Sequence, residues 1–423
     1  MRKTFLILIL FVLWCQVRGQ LNIPVPTPAQ LTWQNAELAA LVCLDLHSFD
    51  GKFYVQNEIR ITPVEDYNIF NPQRYDTDQW VRSLKDAGIK IAILTVSHET
   101  GFYLHQSDAT PYCMKALRWK DGKGDVLRDF KASCEKYGIL PGVYIGIRWN
   151  SCYGIYDFKV QGEGDFAANR QKNYNDMVER IVAEIFSRYG DWAMVWFDGG
   201  AHGPEQGGPD VLSVFERYQP DCLFYHNLQR ADMRWGGSET GMVPYPCWGT
   251  FPYVSTGAGE SAKKEISRNN FSLLKTGDPE GHYYIPAMSD APLRGNGGHD
   301  WFWEPNREHI INPLDKLVEM YYKSVGHNTT LILGVTPGPD GLMPEPDVKR
   351  LKEFGERVRE FTVYGNTAAG WKGLCKGSYI GHKYIARFEG VEVSSLRLEI
   401  TRSLGEPQIR EFSAYHLEKN EVN

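Results

Sequence analysis

The segment Met194-Val195-Trp196-Phe197-Asp198-Gly199-Gly200 runs four apolar residues straight into a carboxylate and follows it with two glycines. An apolar run of this kind suits a parallel strand covered on both faces. An Asp at its C-terminal tip stands where a (β/α)8 barrel keeps its chemistry, and the glycines leave room for a substrate to approach the backbone. Asp198 is therefore a candidate nucleophile; the alternative is a strand-ending Asp that caps a loop. A second carboxylate lies in Arg234-Trp235-Gly236-Gly237-Ser238-Glu239-Thr240-Gly241, a Gly-rich and hence loop-forming stretch. An apolar neighbour such as Trp235 raises a carboxyl pKa and suits it to general-acid work; the alternative is an exposed loop Glu. A retaining glycosidase uses two carboxyls about 5–5.5 Å apart, one as nucleophile and one as acid/base.

Something must hold two such groups at one face. Apolar runs at Leu41–Leu46, Ile89–Val96, Gly142–Ile147, Ala193–Asp198, Leu223–His226, Tyr284–Met288 and Thr330–Val335 read as strands. Helical periods separate them. In Lys172–Tyr189, Met177, Ile181, Ile185 and Tyr189 recur every fourth residue on one face. Asp76-Thr77-Asp78-Gln79-Trp80 opens another helix with a capping residue, and Val126–Lys136 and Pro313–Ser324 read similarly. Alternating strands and helices imply a parallel sheet. Seven visible strands favour a (β/α)8-like barrel whose eighth strand is irregular; an open doubly wound sheet is the alternative, without a GxGxxG to support it. After about Tyr364 the helical period stops. Ile380–Phe388, Val393–Ile400 and Ile409–Tyr415 then predict a small β domain over residues 365–423, behind a catalytic domain of residues 20–364.

The first 19 residues have a charged start, a short apolar run and small residues at Val17 and Gly19, the pattern of a secretory signal peptide. Export, to the outside or to the lysosome, is the expected destination. Loss of Arg2, Lys3 and Arg18 takes the formal charge from −6 to −9. With no basic block present, this argues against nucleic-acid and anionic-membrane partners. No later stretch is long and apolar enough to span a bilayer. Seven cysteines remain after the signal, and an odd count leaves at least one thiol unpaired or intermolecular. Sequons stand at Asn270 and Asn328.

Several segments resemble glycoside hydrolase family 29, the α-L-fucosidases, over essentially the whole mature chain. They are Pro26 to Gln34, Phe70-Asn71-Pro72 with Asp76 to Trp80, Trp119 to Val126, Trp196-Phe197-Asp198-Gly199, and Asn328 to Gly341 around Leu331 to Pro337. Arg234 to Gly241 is similar to the subgroup that prefers α-1,3/1,4-linked fucose. The resemblance implies a (β/α)8-like barrel followed by a β domain, no metal and no organic cofactor. It makes Asp198 the nucleophile, Glu239 the acid/base, and a fucosylated glycan or glycoconjugate the substrate.

The departures from the family fall in the sugar pocket. The family's first-strand His position is Cys43 here, with His47 four residues on. Of two successive His residues after the second strand, His98 is kept and Glu99 replaces the other. His105 stands where a Trp is usual. Ile145 to Asn150, including Trp149, replaces a Tyr-Ser-Pro-Trp-Asp segment, and Met288 replaces a Glu. His47, His98, Glu99, Trp149, Trp235, Arg294 and Trp301 are the expected sugar contacts. Arg294 and Trp301 match family pocket residues. Asp45, His47, His98, Glu99 and His105 also suggest a metal cluster, but sugar contacts account for them better. The altered pocket leaves two other readings: an exo-glycosidase for another α-L-sugar such as L-galactose, or a glycan-binding protein with weakened turnover.

Overall fold

Alternating side chains along each central strand serve two separate cores. The structure, a computed structural model, describes residues 24–255, 272–295, 300–357, 361–377 and 390–400, with Phe388 and Phe412. The signal segment and the Asn270 sequon lie outside the described residues. Eight parallel strands form the barrel: β1 (Leu38–Val42), β2 (Ile91–Ser97), β3 (Leu140–Ile145), β4 (Met194–Trp196), β5 (Leu223–Tyr225), β6 (Arg234–Trp235), β7 (Ala287–Pro292) and β8 (Thr330–Val335). Their spatial order is β5-β4-β3-β2-β1-β8-β7-β6. Ala39, Leu41 and Cys43 turn inward with Ile93, Tyr144, Trp196, Met288 and Ile332. Their neighbours Leu38, Ala40 and Val42 turn outward with Leu94, Val143, Val195 and Leu333, against the helices. The period of two is the strand's own geometry, and burial on both faces explains why these runs read as continuously apolar.

Helix α1 (Pro28–Ala36) precedes β1, sends Trp33 into the inner core, and receives Thr330 Oγ1 on the Trp33 carbonyl at 3.1 Å. The outer helices are α2 (Thr77–Asp86), α3 (Val126–Tyr137), α4 (Gly164–Arg188), α5 (Val211–Tyr218), α6 (Leu314–Ser324) and α7 (Glu345–Arg357). Asp76 caps α2 by accepting the Gln79 N–H at 3.1 Å, the role its sequence context predicts.

The irregular strand is β6. Only residues 226–233 join it to β5. Adjacent parallel strands need a crossover of about a dozen residues or more, so the β5/β6 seam carries no ladder. Asp232 bridges it instead: its N–H donates to the Phe224 carbonyl at 3.1 Å and its carboxylate accepts the Phe224 N–H at 2.7 Å. The expected strand Tyr284–Met288 divides. Tyr283–Tyr284 pairs antiparallel with Thr250–Phe251, and the barrel strand starts at Ala287. Pro286 breaks the run because it has no N–H to give a ladder.

Beyond α7, β9 (Phe361–Thr367), β10 (Gly370–Gly377) and β11 (Leu396–Ile400) form an antiparallel sheet in the order β10-β9-β11. This β region therefore begins a few residues before Tyr364. Of the three strands expected there, Val393–Ile400 appears as β11. Apart from Phe388 and Phe412, the other two fall outside the described residues. Among the described residues all seven cysteines are free, and no helix is long and apolar enough to cross a membrane. Asn328 is exposed, with its side-chain amide on the Cys247 carbonyl at 3.0 Å.

Candidate active site

Asp198 stands two residues beyond β4. The Phe197 N–H extends the strand by donating to the Tyr225 carbonyl at 2.7 Å, and the backbone then turns through Gly199 at φ 68°. A Cβ at Gly199 would stand 2.8 Å from Arg148 Nη1, so a side chain there would displace the arginine. Asp198 opens into a pocket of about 530 Å³, mouth included, at the C-terminal end of the strands.

Glu239 reaches the same pocket from the opposite side of the seam. Its loop follows β6, and β6 is fixed by Arg234. This arginine is fully buried and has only neutral partners: Nε donates to the Leu274 carbonyl at 2.9 Å, Nη2 to the Trp248 carbonyl at 2.8 Å and to Cys247 Sγ at 3.3 Å, and Nη1 to the Ile285 carbonyl. A two-residue strand with no ladder on one side thus gains an anchor in the long connection to β7. The Trp301 indole N–H donates to Glu239 Oε2 at 3.1 Å.

A third carboxyl, Asp290 on β7, lines the pocket beside these two. Burial, then the negative charges of Glu239 and Asp198, push its pKa well above the usual carboxylate range. Trp235 Nε1 donates to its Oδ1 at 2.8 Å. Sequence reasoning missed this role; the signal was a carboxylate in the middle of an otherwise buried strand.

The wall opposite is built on Asp45. It is buried, and burial alone would raise its pKa. His47, with Nδ1 3.5 Å from Asp45 Oδ2, the charge of His98 and the Thr100 hydroxyl outweigh burial and lower it. His98 lines the pocket with Nδ1 4.0 Å from Asp45 Oδ2. Burial lowers its pKa despite the neighbouring carboxylates of Glu99, Asp45 and Asp198. The ring is therefore neutral at pH 7, able to accept as well as donate to a sugar hydroxyl. Leu41, Cys43, Phe302, Tyr144 and Trp196 supply the apolar and aromatic surface.

The sequence profile described as Alpha-L-fucosidase matches residues 33–361. The chain belongs to the alpha-L-fucosidase family. It is 29% identical to Alpha-L-fucosidase 1 of Arabidopsis thaliana over 82% of its own length and 62% of the relative's. A rice protein, Oryza sativa subsp. japonica, provisionally named alpha-L-fucosidase 1, is 32% identical over 82% of the chain and 61% of its own length. The chain thus spans about three fifths of these two relatives. A crystal structure from Bacteroides thetaiotaomicron, assigned provisionally as an alpha-L-fucosidase, is 49% identical. It superposes with a TM-score of 0.77, covering 94% of this chain and 100% of that one.

The residues expected to contact sugar in this family member have different surroundings. Asp198, Glu239, His98 and Trp301 share the pocket. His47 is buried behind it, edge-on to Phe302 at 4.4 Å and tilted against Tyr54 at 4.9 Å. Glu99 has turned away from the cavity. Its carboxylate accepts Tyr54 Oη at 2.7 Å, Arg60 Nε at 2.7 Å and Gln56 Nε2 at 3.3 Å. Trp149 is stacked by the guanidinium groups of Arg60 at 3.7 Å and Arg148 at 4.2 Å. Arg294 is buried against α7, with Nε 3.0 Å from both oxygens of Asp347. Trp235 serves Asp290. His105 faces Glu184 at 3.5 Å in a buried cluster. Among the described residues no group of three His, Cys, Asp or Glu side chains has metal-site geometry.

Proposed function

We propose that the protein is a retaining exo-α-L-fucosidase that removes terminal fucose from glycans. The observation that carries this reading is the convergence of Asp198 and Glu239, from β4 and the β6 loop, on one pocket at the catalytic end of the barrel. Asp198 attacks the anomeric carbon while Glu239 gives its proton to the departing oxygen. A fucosyl ester on Asp198 results. Glu239 then takes a proton from water, which attacks the same carbon and frees Asp198, so the product keeps its configuration. The signal-like segment supports export, and a mature N-terminus at Gln20 is the expected product of processing.

Hydrolysis of an aryl α-L-fucoside by the wild type and by Asp198→Ala tests the assignment. Removal of a nucleophile should cost roughly 10³-fold or more in kcat; equal rates would end it. Accumulation of bound glycan without any product, by the wild type, would support the glycan-binding alternative instead.

The loss of polar positions at Cys43 and Met288 keeps a second substrate in view, an α-L-galactoside, which adds one hydroxyl to fucose. Leu41, Cys43 and Phe302 suit the methyl group of fucose better. An apolar wall rejects an added hydroxyl by only about 10²-fold. Paired aryl α-L-fucoside and α-L-galactoside rates decide between the two sugars.

A further inference from the structure

Asp290 grips both arms of the loop that carries Glu239. Along β7 its side chain shares the inward face with Met288, and it is 5% exposed. Its Oδ1 accepts the Trp235 indole N–H at 2.8 Å, four residues before Glu239. Its own carbonyl accepts the Gly241 N–H at 2.9 Å, two residues after Glu239. Between these points, the Gly236 N–H donates to the Met288 carbonyl at 2.8 Å. The loop is short and Gly-rich, with Gly237 and Gly241 at positive φ. Such a backbone has little rigidity of its own, and β6 beneath it spans two residues. Its aim therefore depends on what fastens it to β7.

We propose that Asp290 is a positioning residue for Glu239, a third carboxyl that aims the acid/base loop and does not itself react with the sugar. The inference rests on the assignment of Asp198 and Glu239 given above. Three carboxyls around one cavity exceed what the double displacement consumes. A third full charge beside Asp198 and Glu239 would repel both, and burial of an unpaired carboxylate is costly. In its acid form Asp290 avoids both costs, and its Oδ1 still accepts from Trp235.

Positioning of a general acid has a kinetic signature that general structural damage lacks. A departing alcohol of high pKa needs the proton, whereas a dinitrophenolate leaves without it. Asp290→Ala and Asp290→Asn are compared with wild type on 2,4-dinitrophenyl and methyl α-L-fucosides, with the rate of glycosyl-enzyme formation read for each. Asp290→Ala should lose about 100-fold on the methyl fucoside, the scale of a misplaced catalytic group, and only a few-fold on the dinitrophenyl one. Asp290→Asn keeps an oxygen acceptor for Trp235 and should recover most of the loss. The ratio of the two substrates is independent of how much variant protein is folded. Equal losses on both substrates, or no loss, overturn the proposal and leave the two-carboxylate assignment standing.

Azide separates the remaining outcome. It replaces activated water in the second step, so it rescues a variant lacking the acid/base itself. Rescue of Glu239→Ala and not of Asp290→Ala is expected. The reverse pattern would transfer the acid/base to Asp290, overturning both this proposal and the role given to Glu239.

Discussion

Trp301 donates its indole N–H to Glu239 Oε2 at 3.1 Å, and both residues line the pocket that holds Asp198. The tryptophan comes from the segment after β7 and the glutamate from the loop after β6, so one hydrogen bond joins two independent elements at the proposed reaction centre. A group that must meet a leaving oxygen gains from being held on two sides.

Trp301→Phe keeps an aromatic surface and deletes the donor. The expected result is a loss of about 10-fold to 100-fold in kcat on substrates that need protonation of the leaving group. KM should change less. Steady-state rates on methyl and dinitrophenyl fucosides would show it, and an equal fall on both would assign Trp301 to sugar stacking alone.

Glu99 acts through a neighbouring segment. Tyr54 and Gln56 line the pocket, and both bond to the Glu99 carboxylate, as does Arg60. Burial, then the Glu99 charge, raises the Tyr54 pKa well above its ordinary value, so the phenol remains a donor. Glu99→Ala removes the common acceptor of all three. The expected effect is a rise in KM of about 10-fold, since roughly 1.4 kcal/mol of lost ground-state binding corresponds to that factor. kcat should fall less, because neither of the carboxylates proposed for catalysis is touched. A fall in kcat at unchanged KM would contradict a binding role for the segment.

The pH dependence of stability should differ in sign between two buried acids. Asp290 has a folded pKa above its unfolded value. The folded state then holds the proton more tightly, and from about pH 3.9 up to the folded pKa this group makes stability fall by about 1.4 kcal/mol per pH unit. Asp45 has a lowered folded pKa, so its contribution is present above about pH 3.9 and disappears as the pH falls through the folded value. Urea unfolding across pH 3 to 7 reads both. Asp290→Asn should flatten the decline on the upper side, and Asp45→Asn the decline on the lower side. An unchanged slope above pH 4 in Asp290→Asn would mean that Asp290 is ionised in the folded protein.

The barrel was legible because its strands are buried on both faces and its helices on one, which leaves two distinct periods in the sequence. β6 was not, since Arg234 and Trp235 carry no periodic signal and take their place from long-range partners. A strand tip followed by glycines made Asp198 a candidate beside a loop-capping Asp, a glycine-rich loop made Glu239 one beside an exposed loop Glu, and the family resemblance alone chose between the readings. Pocket contacts could not be read as well. Residue type shows that Glu99, Trp149 and Arg294 are polar or aromatic groups near strand ends. It does not show that Arg60, Arg148 and Asp347, distant in sequence, already occupy them. Asp290 drew no site reading, because the run that marks β7 in the sequence ends at Met288, two residues short of it, whereas the strand continues to Pro292.

Arg234 joins fold to chemistry most directly. Its guanidinium bonds three carbonyls from residues 248 to 285 and a cysteine sulfur, without a carboxylate partner. Burial accordingly lowers its pKa. Arg234→Met would fill similar space and leave those carbonyls without donors. The cost should be roughly 2–4 kcal/mol, since each buried orphan acceptor costs about 1–3 kcal/mol and water recovers part of it. The β6 loop should also lose its aim, so activity at temperatures where the variant stays folded should fall with the same leaving-group dependence as in Asp290→Ala. Thermal unfolding paired with the two-substrate assay measures both effects. A destabilised variant with an unchanged substrate ratio would show that β6 holds Glu239 without Arg234, and that β7 alone sets the direction of the loop.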